Sequence, residues 1–146
     1  MMWGNLALAW ALLAAGQLAQ PTVTVAGAPD TPVTLQNVRL LNVGASPLVL
    51  LYEAVNAGSD TIDTFTVVAL TFDKDGILKA RQVAPARRTL EPKERKYSAL
   101  VLDGFAAQND HTIVVGVDQA QRAGSDAWWR ADIRPIAEAL VKKGVR

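Results

Sequence analysis

Across residues 33–120 one β-type segment follows another, parted by turn signals, with no helical period between them. That succession disfavours a parallel α/β sheet, whose strands alternate with helices. It points to an all-β chain: an immunoglobulin-like antiparallel β-sandwich with a short C-terminal helix. Residues 33–41 alternate, with Val33, Leu35, Asn37, Arg39 and Leu41 on one side and Thr34, Gln36, Val38 and Leu40 on the other. Neither set is purely apolar, so the pattern gives a strand without fixing its inner face. Residues 47–56 are apolar on both sides (Leu48, Val49, Leu50, Leu51, Tyr52, Ala54, Val55), which predicts an inner strand covered on each face. A turn over 56–60 leads to a strand over 61–72, and Asp73-Lys74-Asp75-Gly76 predicts a hairpin. The return, 77–83, is weaker and more charged, as suits an edge strand. Residues 84–94 hold Pro85 and Pro92 and read as a crossing loop from which Leu90 tucks into the core. Strands over 95–102 and 112–120 complete the pattern.

Four segments result: 1–19, a signal peptide or N-terminal anchor; 20–32, an extended lead-in with one short strand at 22–25; 33–127, the sandwich; and 128–146, an aromatic pair and a helix packed on it. Residues 1–19 contain no charged side chain, and Leu6 to Ala15 form an apolar run too short for an ordinary membrane span. Small residues follow at Ala14, Ala15 and Gly16, as a cleavage signal requires, although no base precedes the run. Without the leader about 125 residues remain, enough for one domain with its own core. Near the other end, Ile133, Ile136, Ala137, Leu140 and Val141 make a helical stripe. Asp132 is placed to cap that helix, Pro135 suits its first turn, and Lys142 and Lys143 its last turn before Gly144.

Composition narrows the chemistry. With no cysteine, thiolate metal sites, iron–sulfur centres and thiol nucleophiles are excluded. Half the residues are hydrophobic, which is too many for a disordered chain. His111 is the only histidine, at a strand start where a surface or turn role is the ordinary one. It can be combined with Ser98 or Ser125 on paper, but no Gly-x-Ser-x-Gly elbow is present. Asp73-Lys74-Asp75-Gly76 resembles a piece of a calcium loop, yet the hairpin explains the same residues. Asp103, Asp110 and Asp118 have no spacing that makes a carboxylate pair for glycoside hydrolysis. The expectation is therefore no catalytic residue, no metal and no cofactor.

Net charge is +1, unevenly spread. Lys79, Arg81, Arg87, Arg88, Lys93, Arg95 and Lys96 form the densest basic stretch, opposed only by Glu91 and Glu94. No aromatic residue interleaves with them before Tyr97, so a stacking platform for nucleic acid is not built there. A solvated turn and an edge strand guarded by charge account for the run. Trp128 and Trp129 are adjacent, so on a strand they point to opposite sides. One arrangement has both clamp the terminal helix. Another has one of them serve a carbohydrate or small-molecule ligand, or an oligomer contact, with Arg122, Arg130 and Arg134 nearby.

Residues 52–62 (Tyr-Glu-Ala-Val-Asn-Ala-Gly-Ser-Asp-Thr-Ile) and 67–76 (Val-Val-Ala-Leu-Thr-Phe-Asp-Lys-Asp-Gly) resemble a recurring exported bacterial domain. There a strand ends in Asn and a small turn, and the next strand ends in Phe-Asp-x-x-Gly. Leu90-Glu91-Pro92-Lys93-Glu94 is similar to the Leu-x-Pro-Gly-Glu bend that follows, with Lys93 in the place of glycine. Leu50-Leu51-Tyr52-Glu53 is the piece nearest to Phe-x-Leu-Tyr-Asp. The resemblance, over about residues 48–102, is to FxLYD-like and related immunoglobulin-like domains of unknown role. It implies a small β-sandwich on an exported or envelope protein, with no catalytic residues to transfer. The function expected is noncatalytic binding of a protein or a cell-envelope component, in the periplasm or secreted after signal cleavage. Nucleic acid is not expected as a partner, and a membrane only if the N-terminal segment is retained.

Overall fold

In a computed structural model of the chain, the described residues are 21–41, 47–86, 89–102 and 109–144. The expected leader therefore lies outside them, as do Arg87, Arg88 and Asp103. Among the described residues eight strands and one helix follow in order: β1 (Thr22–Val25), β2 (Val33–Leu41), β3 (Val49–Asn56), β4 (Ile62–Phe72), β5 (Leu78–Ala86), β6 (Arg95–Val101), β7 (Thr112–Arg122), β8 (Trp128–Arg130) and α1 (Ile133–Gly144). They make a mostly-β sandwich of immunoglobulin-like architecture with a short C-terminal helix. One sheet runs β2-β3-β6. The other runs β1-β7-β4-β5, with β8 also paired to β7. Every pairing is antiparallel except β1 with β7, which is parallel.

Side-chain parity builds the core. Leu50, Tyr52 and Ala54 of β3 meet Phe65, Val67 and Ala69 of β4 and Ile113, Val115 and Val117 of β7 between the sheets. The opposite parity of the five-stranded sheet presents Val68, Leu70, Phe72 and Val114 outward, where α1 covers them with Ile133, Ala137 and Val141. The molecule thus has three layers: three-stranded sheet, five-stranded sheet, helix. Asp132 Oδ1 accepts the Arg134 N–H at 3.2 Å and caps the helix. The crossing loop is tied in by Leu90, which is fully buried and exchanges both backbone hydrogen bonds with Ile62 at 2.8 Å. Asn56 secures the same corner: its amide donates to the carbonyls of Asp60 (2.8 Å) and Leu90 (3.0 Å) and accepts from the Gly58 N–H (3.0 Å).

Two local features shape the outer surfaces. In β2 the register slips between Gln36 and Arg39, where Asn37 takes a φ of 51°. This bulge reverses the parity of the strand. In β7, Asp118 is the extra residue: Val67 pairs with Val117 and Thr66 with Gln119. β5 continues to Ala86 instead of ending at 83. Its Pro85 pairs with Thr66, a position open to proline because β5 is an edge strand.

Candidate functional site

The two outer faces of the sandwich differ. Helix α1 packs on β4 and β7, whereas among the described residues no helix or strand packs over the outer face of β2-β3-β6. Register fixes what that face presents. Its rows, read across β2, β3 and β6, are Leu41–Val49–Val101, Arg39–Leu51–Ala99, Gln36–Glu53–Tyr97 and Thr34–Val55–Arg95. Leu41, Tyr97 and Val101 are 42%, 67% and 56% exposed, large apolar groups that water contacts directly. The two-sided apolar pattern of β3 is thus covered on its inner side by the core. On its outer side, among the described residues, it is flanked by its neighbours in the sheet.

At the centre of the face sits a carboxylate. Glu53 is 3% exposed, with Arg95 Nη1 at 3.5 Å from Oε1. Tyr97 shares this group. Its hydrogen bond to Glu53, and then the charge of Glu53, hold the phenol above its ordinary range against the opposing fields of Arg39 and Arg95. Beside them is a shallow depression of about 490 Å³ lined by Asn37, Val38, Arg39, Leu51, Tyr97 and Ser98. The bulge at Asn37 puts Arg39 on this side. The surface combines an apolar row, an aromatic ring and a charged cluster held in place by its own pairings. That mixture is typical of protein-contact surfaces.

The residues singled out by sequence are scattered. Trp128 is 37% exposed, and the Arg130 guanidinium carbon lies 6.0 Å from its ring centroid, a cation–π stack. Trp129 is half-buried and packs against both apolar clusters, bridging the core and the helix layer. Arg122, at the end of β7, pairs with Asp60 at 3.6 Å, and Arg134 in the first turn of α1 pairs with Glu138 at 2.8 Å. The basic stretch divides between the sheets. On β5, Lys79 faces Asp73 at 3.6 Å and Arg81 faces Asp118 at 3.7 Å. Near β6, Lys93 Nζ donates to the Ala57 carbonyl at 2.9 Å, and Lys96 Nζ to that of Thr89 at 2.6 Å. Arg95 serves Glu53. Each of these five bases has a partner, and the two groups sit on different sheets.

His111 is buried, unlike the surface residue its position suggests; β1 runs beside it, with the Thr22 N–H donating to its carbonyl at 3.1 Å. Ser125 lies beyond the far end of β7 from His111, roughly 35 Å away at the rise of a strand. Ser98 belongs to the other sheet. Asp73 uses Oδ1 to accept the N–H groups of Asp75 (2.9 Å) and Ile77 (3.0 Å), closing the hairpin turn with Gly76 at a φ of 79°. Among the described residues no group of three or more metal-ligating side chains is gathered, and no helix is long and apolar enough to cross a membrane.

No protein-family model matches the chain, and no curated protein matches it. Among solved structures the chain is similar to the Salmonella enterica trimeric lipoprotein SadB, with 14% sequence identity and a TM-score of 0.43, over 78% of this chain and 67% of that one. A likeness of that strength transfers neither partner nor role.

Sequence reasoning missed Glu53, Tyr97, Leu41 and Val101 as one surface. The signal was the apolar pattern of β3 on both sides, interrupted by a single acid at Glu53.

Proposed function

We propose that this is a noncatalytic binding domain of an exported or envelope protein, and that the open face of β2-β3-β6 holds a protein partner. The observation behind this reading is the exposed row Leu41–Val49–Val101 running into the Tyr97–Glu53–Arg95 cluster. Apolar side chains on a sheet face lose their contact with water only when something lies over them, at about 25 cal/mol per Å². The buried Glu53 adds specificity, since a partner must respect its pairing with Arg95 and Tyr97. Support for a noncatalytic role comes from the separation of His111 from Ser125 beyond the far end of β7. Export rests on the uncharged apolar leader, with the periplasm or the extracellular medium as destination after cleavage. The sandwich is the fold that the FxLYD-like resemblance implies, and kinship with those domains belongs to this proposal.

A photo-crosslinking residue at Ala99, in cells producing the full chain, tests the contact. The expected result is one discrete adduct in the envelope or secreted fraction, lost when Leu41→Glu and Val101→Glu are combined. Equal adducts from a crosslinker at Lys142 on the helix, or adducts that survive the double substitution, overturn it.

A further inference from the structure

On the opposite outer face, α1 leaves part of the five-stranded sheet uncovered. A cleft of about 220 Å³ lies there between β5, β7 and the start of the helix. Arg81 reaches it from β5, where its register partner Leu70 also faces outward. Arg134 reaches it from the first turn of α1, and Val68, Leu70 and Leu78 form an apolar wall. Asp118, Ala131, Asp132 and Ile133 complete the lining, with Asp132 Oδ1 already engaged by the Arg134 N–H that it caps.

Asp118 is the unusual member. It is the bulged residue of β7, and its side chain is only 19% exposed. Oδ1 is buried without a hydrogen-bond partner, and the nearest guanidinium nitrogen, Arg81 Nη2, stands 3.7 Å from Oδ2, beyond hydrogen-bonding distance. Burial is the largest influence on this carboxyl and pushes it above its ordinary range; nearby backbone N–H groups and Arg81 oppose the shift. Arg134 gives one N–H to Glu138 out of five donors.

A ligand for this cleft has to satisfy both signs. A simple anion is attracted by two guanidinium groups and repelled by Asp118 and the capping Asp132. A simple cation meets the reverse. Because Arg81 and Asp118 are under 4 Å apart, the ligand's opposite charges must also be only a few bonds apart. We propose that the cleft binds a small aliphatic α-amino acid as its zwitterion, with the carboxylate on Arg81 and Arg134, the ammonium on Asp118 and the side chain along Val68, Leu70 and Leu78. The ammonium supplies the donor that Asp118 Oδ1 lacks, and the carboxylate inserts beside Arg81 where the existing pair is loose. This site is on the other face from the proposed partner surface, so either can fail while the other stands.

Calorimetric titration of the full chain with L-alanine, L-valine and L-leucine tests it, with N-acetyl-L-valine and L-valinamide as blocked probes. Saturable binding of at least one free amino acid is expected, weakened at least tenfold by either block. Arg81→Gln, at an exposed position, is expected to weaken binding at least tenfold with the melting temperature unchanged, and Asp118→Asn to abolish it. Absence of saturation by all three free amino acids, equal binding of the blocked forms, or binding that Arg81→Gln leaves intact overturns the proposal.

Discussion

Lys93 sits third in the turn Glu91-Pro92-Lys93-Glu94, with a φ of 66° and the Glu94 N–H donating to the Glu91 carbonyl at 2.9 Å. This is the glycine position of a type II turn. Lys93 tolerates it while its Nζ reaches the Ala57 carbonyl. Lys93→Ala removes that bond and keeps the strain, whereas Lys93→Gly removes both. The glycine variant is therefore expected to be more stable than the alanine variant by about 1 kcal/mol in urea unfolding. Gly116 is constrained in another way. It lies on β7 in the gap between β1 and β8, where an added Cβ would stand 2.8 Å from the Ala26 carbonyl oxygen and 3.3 Å from Ile133. Gly116→Ala is expected to cost about 1–3 kcal/mol, read as a lower denaturation midpoint.

The Asp73 turn between β4 and β5 gives a pH dependence at the scale of an element. The Ile77 N–H, then that of Asp75, then Lys79 hold the Asp73 carboxyl below its ordinary range. A depressed carboxyl stabilises the fold above its unfolded-state value and loses that contribution as pH falls through its folded value. The stability gap between the parent and Asp73→Ala is expected at neutral pH and to narrow as pH falls from the ordinary carboxylate range through that lower value, followed by thermal melts across an acid series. This turn was legible in the sequence because Asp-Gly specifies it locally. So was α1, whose stripe, cap and basic last turn agree with one another. The faces of β2 were not, because the bulge at Asn37 mixes the parities: Val33 and Leu35 point inward before it, Val38 and Leu40 after it. The open face was illegible for a related reason. Leu41, Val49 and Val101 become neighbours only through a register that joins three distant segments. The cleft depends on the Asp118 bulge, which leaves no trace in periodicity.

For the whole molecule, the helix layer is what distinguishes the two outer faces. Ala137 is fully buried against the cluster of Val68, Leu70, Phe72 and Val114. Ala137→Asp would place a charge there without a partner, at a cost of about 3 kcal/mol or more. The helix is then expected to undock, so that its amides exchange quickly while those of β3 and β4 remain protected. Retained protection throughout α1 would mean that Ala137 is not held in that seam. The parallel pairing of β1 with β7 acts on the same scale. Residues 22–25 come early in the sequence, yet their partners are residues 112–115. A ribosome delivers the first strand long before the last. Until synthesis has passed the final long strand, β1 has no place in the sheet, so the domain closes late.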